Sequence, residues 1–391
     1  MHLFFSVGEP SGDQHAAHLI RELRARRPDV RCVGFGGPAM QSAGCDLHFR
    51  LTDMALMGFL KVIPLLWRFF QLARQAQKYF AQHRPDAVVL IDFPGFNWWI
   101  AKFAKRAGVR VIYYLPPQMW AWADWRIEKI RRYVDDVVCG LPFEPAWYAQ
   151  RGVQVEYVGH PFFDEVAEHP LDETFIESWT SQKHRNVAIL PGSRNQEVQR
   201  NFPIMIEVMK RLHERHPNVR FLVACFQETH RRRCSSLLLA TAARLPVHLF
   251  VGKTPEVIQV SECCSMVSGS VSLEVLARGK PAVVQYSSDW LMYMIGRMLV
   301  KCRFMTLPNL FVDREVLPEF VIVGSPAKSI LRITEVLHGW LSVQDRLNAA
   351  RQEVEQLRSE FAQTGATRRT ADYLLQRLAP AETVPPAAKA A

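Results

Sequence analysis

The chain has 391 residues, of which 49% are hydrophobic and 22% are charged, and its formal net charge is +10. This composition is ordinary for a globular protein and leaves room for two domains. The basic excess favours an anionic partner, either nucleic acid, an acidic substrate or a phospholipid surface, without choosing among them. No stretch has the roughly 18 uncharged apolar residues that a membrane-spanning helix needs, and the N-terminus is interrupted too soon for a secretory signal.

The eight cysteines form no C-x-x-C pair and show no zinc-site spacing. Free thiols of this kind are typical of the reducing cytosol. We therefore expect a cytoplasmic protein without a metal centre.

Apolar runs of strand length alternate with helical patterns along the chain. The predicted strands of the first half are 3–7, 30–36, 87–92, 109–115, 136–141 and 155–159; those of the second half are 186–190, 220–226, 247–252, 264–269 and 281–286. Continuously apolar strands that alternate with helices are typical of parallel sheets covered on both faces. The sequence therefore predicts an α/β protein with two Rossmann-like domains, whose ligands bind beyond the carboxyl ends of the strands.

Composition also predicts the domain boundaries. The first domain is expected to span 1–163 and the second 186–340, joined by the polar linker 164–185. Residues 341–378 are expected to form helices that pack back toward the first domain. The Pro/Ala-rich segment 379–391 is expected to be a disordered tail.

The stretch "LPGSRNQE" joins a strand to a helix at the start of the second domain. Gly192 permits a tight turn, and Ser193 or Asn195 can cap the helix. Free backbone N–H groups and the planar fork of Arg194 would then suit phosphate oxygens. The alternative is an ordinary capped turn with a solvated arginine.

A second turn, in "VSGSVSLEVLARGKP", combines small residues with an acid. Ser268, Gly269 and Ser270 allow a ligand to approach the backbone, and Glu274 could accept hydrogen bonds from ribose hydroxyls. The alternative for Glu274 is a surface carboxylate that complements the helix dipole. Neither turn matches a Walker loop or G-x-G-x-x-G, so an ATPase or a dehydrogenase is disfavoured.

Two turns of the first domain also carry acids. "GEPSGD" follows the first strand, and its Ser11 or Asp13 is predicted to cap the next helix. "LIDFPGFN" puts Asp92 at the end of a strand, where a carboxylate can act as a general base. The alternative is that Asp92 is a cap or turn residue.

In residues 56–80, apolar side chains would cover more of a helix surface than one core-facing stripe requires. From Pro64, aromatic and aliphatic residues surround Arg68, Arg74 and Lys78. This pattern predicts either an interfacial helix on anionic lipid or a deeply buried helix. Three tryptophans in "PPQMWAWADW" could likewise be core, or a platform for lipid or sugar.

The motifs together resemble those of the lipid-A-disaccharide synthase family, inverting glycosyltransferases of GT-B fold. The stretches that carry the resemblance are "GEPSGD", "GFGGPAMQSAGC", "LMGFLKVI", "IDFPGFN", "PPQMWAW", "YVGHPFFDE", "LPGSRNQE", "SGSVSLEVLARGKP" and "TLPNLFVDREVLPE". They occur in the family's order along nearly the whole chain. The resemblance implies two Rossmann-like domains whose parallel sheets face a central cleft. It also implies transfer of 2,3-diacylglucosamine from UDP to 2,3-diacylglucosamine 1-phosphate, which forms a β-1,6 disaccharide without a metal or cofactor.

The same resemblance implies roles for individual residues. Asp92 is expected to be the base toward the acceptor hydroxyl, and Arg194 to stabilise the departing diphosphate. The expected UDP-binding residues are Gly192, Ser193, Arg194, Ser268, Gly269, Ser270, Glu274 and Asn309. The expected acceptor-side residues are Glu9, Ser11, Gly12, Asp13, Asn97, Gln118 and Trp120. Contact with the membrane or with acyl chains is expected from Leu60, Val62, Ile63, Leu66, Phe69 and Phe70.

These expectations describe an enzyme on the cytoplasmic face of the inner membrane of a Gram-negative-type bacterium, bound to its anionic phospholipid surface and not to nucleic acid. Two alternatives remain: an isomerase resembling UDP-N-acetylglucosamine 2-epimerase, and a non-catalytic lipid-binding protein. Lys61, Ser270 and the absence of a glutamine after "PE" depart from the family pattern. Of these, Lys61 and the missing glutamine leave acyl-chain or donor preference open. The sequence also leaves open whether the chain forms a homodimer.

Overall fold

A computed structural model describes residues 1–55, 62–180, 183–242 and 244–379. These residues form two compact units. The first contains Met1–Met119, Asp124–Pro161 and the described residues from Gly365 onward, and the second contains Trp120–Ala123 and Phe162–Thr364. No helix among the described residues is long and apolar enough to cross a membrane. All eight cysteines are free thiols, and seven of them are buried.

The first unit contains a seven-stranded sheet in the order β3-β2-β1-β4-β5-β6-β7, in which each strand is parallel to its neighbours. Its strands are β1 His2–Val7, β2 Arg31–Gly36, β3 Asp46–Arg50, β4 Ala87–Ile91, β5 Arg110–Tyr114, β6 Asp136–Cys139 and β7 Glu156–Tyr157. The helices in the chain up to Pro161 are α1 Pro10–Arg26, α2 Pro38–Ser42, α3 Thr52–Ala55, α4 Val62–His83, α5 Pro94–Arg106, α6 Met119–Trp122, α7 Ile127–Tyr133 and α8 Glu144–Ala149. All of them belong to the first unit except α6, whose residues from Trp120 onward belong to the second. A 3-10 turn, Asp124–Arg126, precedes α7.

The second unit contains a six-stranded parallel sheet in the order β10-β9-β8-β11-β12-β13. Its strands are β8 Arg185–Leu190, β9 Val219–Cys225, β10 Val247–Val251, β11 Cys263–Val267, β12 Ala282–Ser288 and β13 Glu319–Val323. The helices are α9 Phe162–Glu168, α10 Glu173–Trp179, α11 Asn195–Arg215, α12 Glu228–Thr241, α13 Thr254–Gln259, α14 Val271–Ala277, α15 Trp290–Leu299, α16 Leu307–Val312, α17 Ala327–Ser342 and α18 Gln344–Phe361. The last helix of the chain, α19 Ala366–Arg377, belongs to the first unit.

The central strands are buried on both faces, which is why their sequences are continuously apolar. In β1, Leu3, Phe5 and Val7 pack into one hydrophobic cluster, and Phe4 packs into the cluster on the opposite face. Helix α1 packs on the first face, while α4 and α5 cover the second. Parallel strands need such helical cover, because each must return to the same end of the sheet through a crossover connection.

The eleven predicted strands are present, with ends that shift by up to two residues. Two further strands, β3 and β13, are not among those predicted. Both lie at sheet edges, and each shows only partial burial, so their apolar pattern is weaker than that of a central strand.

The chain segments between and after the domains differ from the predicted organisation. The segment predicted as a linker forms the helices α9 and α10 within the second unit, where α9 packs against α14. Helix α18 also belongs to the second unit and contacts α14 and α17. Only α19 returns to the first unit, where it packs against α1. Composition could not distinguish these helices because all of them expose many polar residues.

A buried carboxylate ties α19 to the sheet of the first unit. Asp136, at the start of β6, accepts hydrogen bonds from Arg110, Tyr373 and Arg377, at 2.6 Å from Arg110 Nε and 3.0 Å from Tyr373 Oη. Burial opposes ionisation of Asp136, but the hydrogen bonds from Arg110 and Arg377 outweigh it and lower the pKa of this carboxyl. The ionised carboxylate therefore stabilises the folded unit.

We expect Asp136→Ala to lower the free energy of unfolding by about 3 kcal/mol, because it leaves two guanidinium groups without their buried partner. Since the folded-state pKa is lowered, this contribution is complete above the ordinary aspartate pKa of 3.8 and disappears as the pH falls through the lower folded value. Chemical denaturation at several pH values measures it. The control is Asp372→Ala, which removes an exposed ion pair with Arg26 and should cost less than about 1 kcal/mol. Equal losses in the two variants would contradict the prediction.

Candidate active site

Two polar turns of the first unit lie side by side at the carboxyl edge of its sheet. Strands β1 and β4 are paired neighbours, and Val7 lies opposite Ile91 in the register. "GEPSGD" follows β1 and "DFPGFN" follows β4, so the parallel pairing brings the two turns together. The turn that begins at Leu115 follows β5, which is the next strand along the same edge.

Asp92 lies on an unusual backbone immediately after β4. Asp92 and Phe93 have φ values of 42° and 47°, which side-chain-bearing residues rarely adopt. The Asp92 carbonyl accepts hydrogen bonds from Asn97 Nδ2 at 2.7 Å and from Tyr113 Oη at 2.8 Å. Such strained conformations persist only where the surrounding structure holds them, and here two buried side chains do so.

Asn97 connects this turn to both strands. Its side-chain oxygen accepts a hydrogen bond from the Ser6 hydroxyl at 2.7 Å, and its amide nitrogen also lies 3.2 Å from the carbonyls of Ser6 and Ile91. Asn97 is fully buried. This residue was expected on the acceptor side, and in the structure it holds the ends of β1 and β4 in place beneath Asp92.

The aromatic ring of Phe93 explains the first glycine of "GEPSGD". A Cβ atom at Gly8 would lie only 2.3 Å from the ring of Phe93, so the ring rests directly on the glycine backbone. Phe93 also contacts the rings of Phe69 and Phe96. This packing fixes the residue next to Asp92 from both sides.

The electrostatic environment of Asp92 suits proton transfer. Burial raises the pKa of Asp92, and a hydrogen bond from the Phe93 backbone and the nearby His15 offset this rise only in part. The His15 ring packs edge-on against His160, with ring centroids 5.9 Å apart. Burial, helped by His15, lowers the pKa of His160 to about 3, so this imidazole is neutral near pH 7. A carboxyl group with a raised pKa close to an imidazole, here that of His15, is a typical arrangement of an acid–base site.

The residues predicted to cap α1, Ser11 and Asp13, do not cap this helix. Helix α1 begins at Pro10 with Glu9 as its N-cap, so Ser11 and Asp13 lie inside the helix and cannot cap it. The buried Asp13 carboxylate instead accepts hydrogen bonds from the backbone of 37–40, at 2.8 to 3.1 Å, and so caps α2. The proline at the first helical position replaces a side-chain cap.

The remaining acceptor-side residues differ in their exposure and in the unit to which they belong. Gly12 lets α1 approach the strand ends, because a Cβ there would lie 3.0 Å from Val7 Cγ1. Gln118 is exposed, in the turn after β5. Trp120 is largely buried and is part of the second unit, unlike the other acceptor-side residues.

In the second unit, the two predicted nucleotide turns are also adjacent. Strands β8 and β11 are paired, with Leu190 opposite Met266, so "LPGSRNQ" and "SGS" follow neighbouring strand ends. Gly192 has a φ of 115°, a conformation that favours glycine, and a Cβ there would lie 2.7 Å from Glu197. The turn after β8 therefore requires its glycine.

A carboxylate already occupies the turn predicted to hold an anion. Glu197 Oε2 accepts hydrogen bonds from the backbone N–H groups of Ser193 and Arg194, at 3.1 and 3.2 Å. Its other oxygen lies 2.8 Å from Arg194 Nη1. The Glu197 side chain is 15% exposed, whereas that of Arg194 is 82% exposed and open to a ligand. The turn thus binds an oxyanion of its own chain.

The predicted caps of α11 are corrected by this contact. The helix begins at Asn195, its N-cap is Arg194, and neither Ser193 nor Asn195 caps it through its side chain. Glu197 satisfies the first N–H groups because its carboxylate folds back over the turn. Asn195 Oδ1 instead lies 3.0 Å from His230 Nε2.

A buried hydrogen-bond network supports the "SGS" turn after β11. Ser268 Oγ donates to the carbonyl of Met305, and Glu319 accepts hydrogen bonds from the backbone N–H groups of Met305 and Thr306. Asn309 donates to Glu319 at 2.8 Å and also binds the backbone of 316–317. Asn309 is fully buried. It therefore positions the loop beside Ser268, and its amide is not free to contact UDP.

Glu274 lies on α14, just beyond the "SGS" turn. It forms an ion pair with Arg278 at 3.3 Å. Burial raises the pKa of Glu274, and Arg278 partly offsets this effect. The Glu274 carboxylate is therefore largely buried and paired, whereas the alternative interpretation required a surface carboxylate that only complements the helix dipole.

The helix predicted to contact lipid is α4. Leu60 lies outside the described residues, as do the side chains of Val62 and Ile63. Leu66 is exposed, and Phe70 is half-buried with its ring stacked on Trp67. Phe69 is half-buried and packs against Phe93 and Phe96, so it supports the Asp92 turn.

Sequence reasoning missed four residues that shape these turns. His15, His160, Glu197 and Glu319 all lie in or near quoted motifs, yet none was given a role. The signal for Glu197 was its place three positions after Arg194, where an acid can fold back over the turn. The two histidines meet only through tertiary packing. No cluster of three or more potential metal ligands was found among the described residues.

Comparison with known proteins gives the family. The family model of lipid-A-disaccharide synthetase matches residues 3–375. A lipid-A-disaccharide synthase of Myxococcus xanthus is 34% identical over 375 residues, covering 96% of this chain and 97% of that protein. One of Nitrosococcus oceani is 34% identical over 316 residues, 81% of each chain. This chain belongs to the lipid-A-disaccharide synthase family.

Solved structures support the fold. A UDP-GlcNAc 2-epimerase of Neisseria meningitidis, bound to UDP-GlcNAc, aligns with a TM-score of 0.65 at 11% identity, over 96% of this chain and 100% of that one. MurG of Acinetobacter baumannii aligns with a TM-score of 0.59 at 14% identity, over 96% and 99% of the two chains. At these identities the likeness concerns the fold alone, and it confirms the predicted pair of Rossmann-like domains of the GT-B class. Family membership disfavours both the epimerase and the non-catalytic alternatives.

We expect Gly8→Ala to destabilise the protein by about 1–3 kcal/mol, because the new methyl group must displace the Phe93 ring or the strand end. The control is Gly95→Ala, two residues beyond Phe93, where no atom lies within 4 Å of an added Cβ. Denaturant unfolding measures both variants. If Gly8→Ala is as stable as Gly95→Ala, the ring does not rest on the glycine as described.

Proposed function

We propose that the protein transfers 2,3-diacylglucosamine from its UDP derivative to 2,3-diacylglucosamine 1-phosphate, which yields the β-1,6-linked lipid A disaccharide and UDP. Family membership supports the reaction class. The observation that carries the catalytic assignment is the Asp92 carboxyl, held on a strained backbone after β4 with a raised pKa.

Asp92 is the proposed general base. As the 6-hydroxyl oxygen of the acceptor attacks the anomeric carbon of the donor, its proton passes to the Asp92 carboxylate. The new carbon–oxygen bond forms on one face while the bond to the diphosphate breaks on the other, so the configuration at this carbon inverts. A base whose pKa is raised toward neutral pH accepts a proton more readily than an ordinary aspartate.

Arg194 is the proposed partner of the leaving group. UDP departs with the electron pair of the broken bond, and the charge on its β-phosphate is met by the Arg194 guanidinium and the backbone N–H groups of the turn. The contact with Glu197 supports this assignment, because these same donors already bind an oxyanion there. Donor binding would then exchange the Glu197 carboxylate for the diphosphate.

The remaining donor contacts are proposed from the second turn. Gly192, Ser193, Gly269 and Ser270 offer backbone or hydroxyl groups close to the phosphates. Glu274 would accept hydrogen bonds from ribose hydroxyls. Ser268 and Asn309 act through the loop that they position, since their side chains bind the protein backbone.

On the acceptor side, Glu9, Ser11 and Gln118 are the proposed substrate contacts, because they lie at least partly exposed around the turns that neighbour Asp92. Gly12 lets α1 pack on Val7, Asp13 caps α2, and Asn97 holds the strand ends beneath Asp92. Trp120 is proposed as an apolar support, since its ring is largely buried.

We also propose that α4 rests on the anionic phospholipid of the cytoplasmic face of the inner membrane. Leu66 and Trp67 are exposed, and α4 carries no acidic residue. A groove of about 600 Å³ runs along this helix, lined in part by Trp67, Arg74 and Lys78. Aromatic and aliphatic side chains flanked by cations are typical of helices at a lipid interface. Acylated substrates could then keep their chains in the bilayer.

We expect Asp92→Asn to lower kcat by at least about 100-fold, the usual worth of a general base. Arg194→Ala should lower kcat by about 100-fold or more through loss of charge stabilisation.

Because burial raises the pKa of Asp92, the acidic limb of the kcat/KM profile should lie above pH 3.8, and activity should fall as the pH drops through that limb. Release of UDP and formation of disaccharide are measured together.

Two substitutions control for charge loss elsewhere on the same units. Asp46→Asn changes an exposed carboxylate on β3, and Arg211→Ala removes an exposed cation from α11. Both should retain wild-type turnover. Wild-type turnover in Asp92→Asn or Arg194→Ala, with the protein folded, would refute the role of that residue.

We expect Leu66→Ser combined with Trp67→Ser to weaken binding to vesicles of phosphatidylglycerol and phosphatidylethanolamine, because both side chains would lose their apolar contact with lipid. Vesicle sedimentation measures the bound fraction. The control combines Leu239→Ser with Leu331→Ser, which are exposed apolar residues on α12 and α17. If the α4 variant binds vesicles as well as this control, α4 is not a lipid contact.

A further inference from the structure

Helix α15 exposes an apolar surface that the proposed chemistry does not use. Eight residues in and directly after this helix are large, hydrophobic and exposed: Trp290, Leu291, Met292, Met294, Ile295, Met298, Leu299 and Val300. Met298 is 82% exposed and Leu291 62%. No residue of α15 is buried in the part of the chain that the structure describes. A contiguous patch of this kind usually marks a contact with a protein or a membrane.

The helix is nevertheless attached to the second unit at both ends. At its start, Asp289 forms an ion pair with Arg200 of α11, at 2.6 Å. Just beyond its end, the backbone N–H of Lys301 donates to the carbonyl of Ala121, at 2.8 Å. These attachments hold α15 as a defined element whose apolar body points away from the core of its unit.

The charges around α15 suit an anionic surface. Arg297, Lys301 and Arg303 lie within or directly after the helix, and the sequence has no Asp or Glu from 290 to 312. The single acid at its start, Asp289, is paired with Arg200. An apolar helix with cations and a tryptophan is the pattern of an element that lies in the headgroup region of a bilayer.

The position of α15 in the sheet relates it to the nucleotide turns. It follows the carboxyl end of β12, which pairs with β11, which in turn pairs with β8. Ser287, near the end of β12, donates its N–H to Asn201 of α11 at 3.0 Å. The apolar helix therefore begins at the same edge of the sheet as the "LPGSR" and "SGS" turns.

We propose that α15 is a second lipid-contacting element, which lays the UDP-binding unit on an anionic phospholipid bilayer. This proposal rests on the proposed function, because a donor with acyl chains in the bilayer must present its diphosphate to these turns. The contact is separate from that of α4, which belongs to the other unit.

The test uses the full-length protein with Leu291→Ser and Met298→Ser combined. We expect its affinity for vesicles of phosphatidylglycerol and phosphatidylethanolamine to fall by about fivefold or more, because two highly exposed apolar contacts are lost. The matched control is the Leu239→Ser, Leu331→Ser pair in the same unit. Binding of UDP, measured by calorimetry, should be unchanged in both, which shows that the unit is folded. Vesicle affinity equal to that of the control would overturn the proposal.

Two further measurements distinguish other occupants of the surface. If the α15 variant halves the mass of the protein in sedimentation equilibrium while vesicle binding is unchanged, the patch joins two copies and the proposal is wrong. If it raises KM for a soluble short-chain donor without changing vesicle binding, the patch holds the donor's own acyl chains, and the proposal is again wrong. Unchanged turnover with that donor, together with weaker vesicle binding, supports it.

The outcome is separable from that of the proposed function. Disaccharide formation by the wild type in detergent tests the reaction without any bilayer. A protein that catalyses the reaction but binds vesicles equally well with and without the α15 substitutions refutes only the lipid contact. A protein that binds vesicles through α15 but forms no disaccharide refutes the reaction.

Discussion

The parallel arrangement of the strands is the constraint on which both sites depend. In each sheet, neighbouring strands run in the same direction, so all of their carboxyl ends meet at one edge. Pairing of β1 with β4 brings together "GEPSGD" and "DFPGFN", and pairing of β8 with β11 brings together "LPGSR" and "SGS". Ligands of such sheets bind at this edge because the loops and helix N-termini there are free of the ladder.

Most buried polar residues of the family motifs serve the backbone of the turns. Asp13 caps α2, Asn97 clamps two strand ends, and Asn309 with Glu319 shapes the loop beside Ser268. Buried polar groups must be hydrogen-bonded, and a turn with irregular dihedral angles offers many backbone donors and acceptors to satisfy. This leaves few motif side chains exposed. Supporting residues hold the backbones of Asp92 and Arg194, while the Asp92 side chain is only partly buried and the Arg194 side chain is exposed.

The two units also share a second feature, an exposed apolar helix with basic neighbours. In the first unit it is α4, and in the second it is α15. Each helix exposes large hydrophobic side chains, and contact of these side chains with water is unfavourable in free energy. Under the proposed function such surfaces have a use, because the acyl chains of the substrates would remain in lipid while the sugar and the diphosphate reach polar turns.

The sequence by itself determined the α/β class, eleven strands, the family and the positions of Asp92 and Arg194. These follow from continuous apolar runs and from short motifs, which are local properties of the chain. Tertiary structure alone decided that Asp13 caps a distant helix, that His15 meets His160, and that Asn309 is buried. It also placed Glu197 over the turn that it shares with Arg194. The physical reason is that hydrogen-bond partners of buried polar groups, and the exposure of an apolar helix such as α15, depend on which elements pack together, and no single stretch of sequence contains that information.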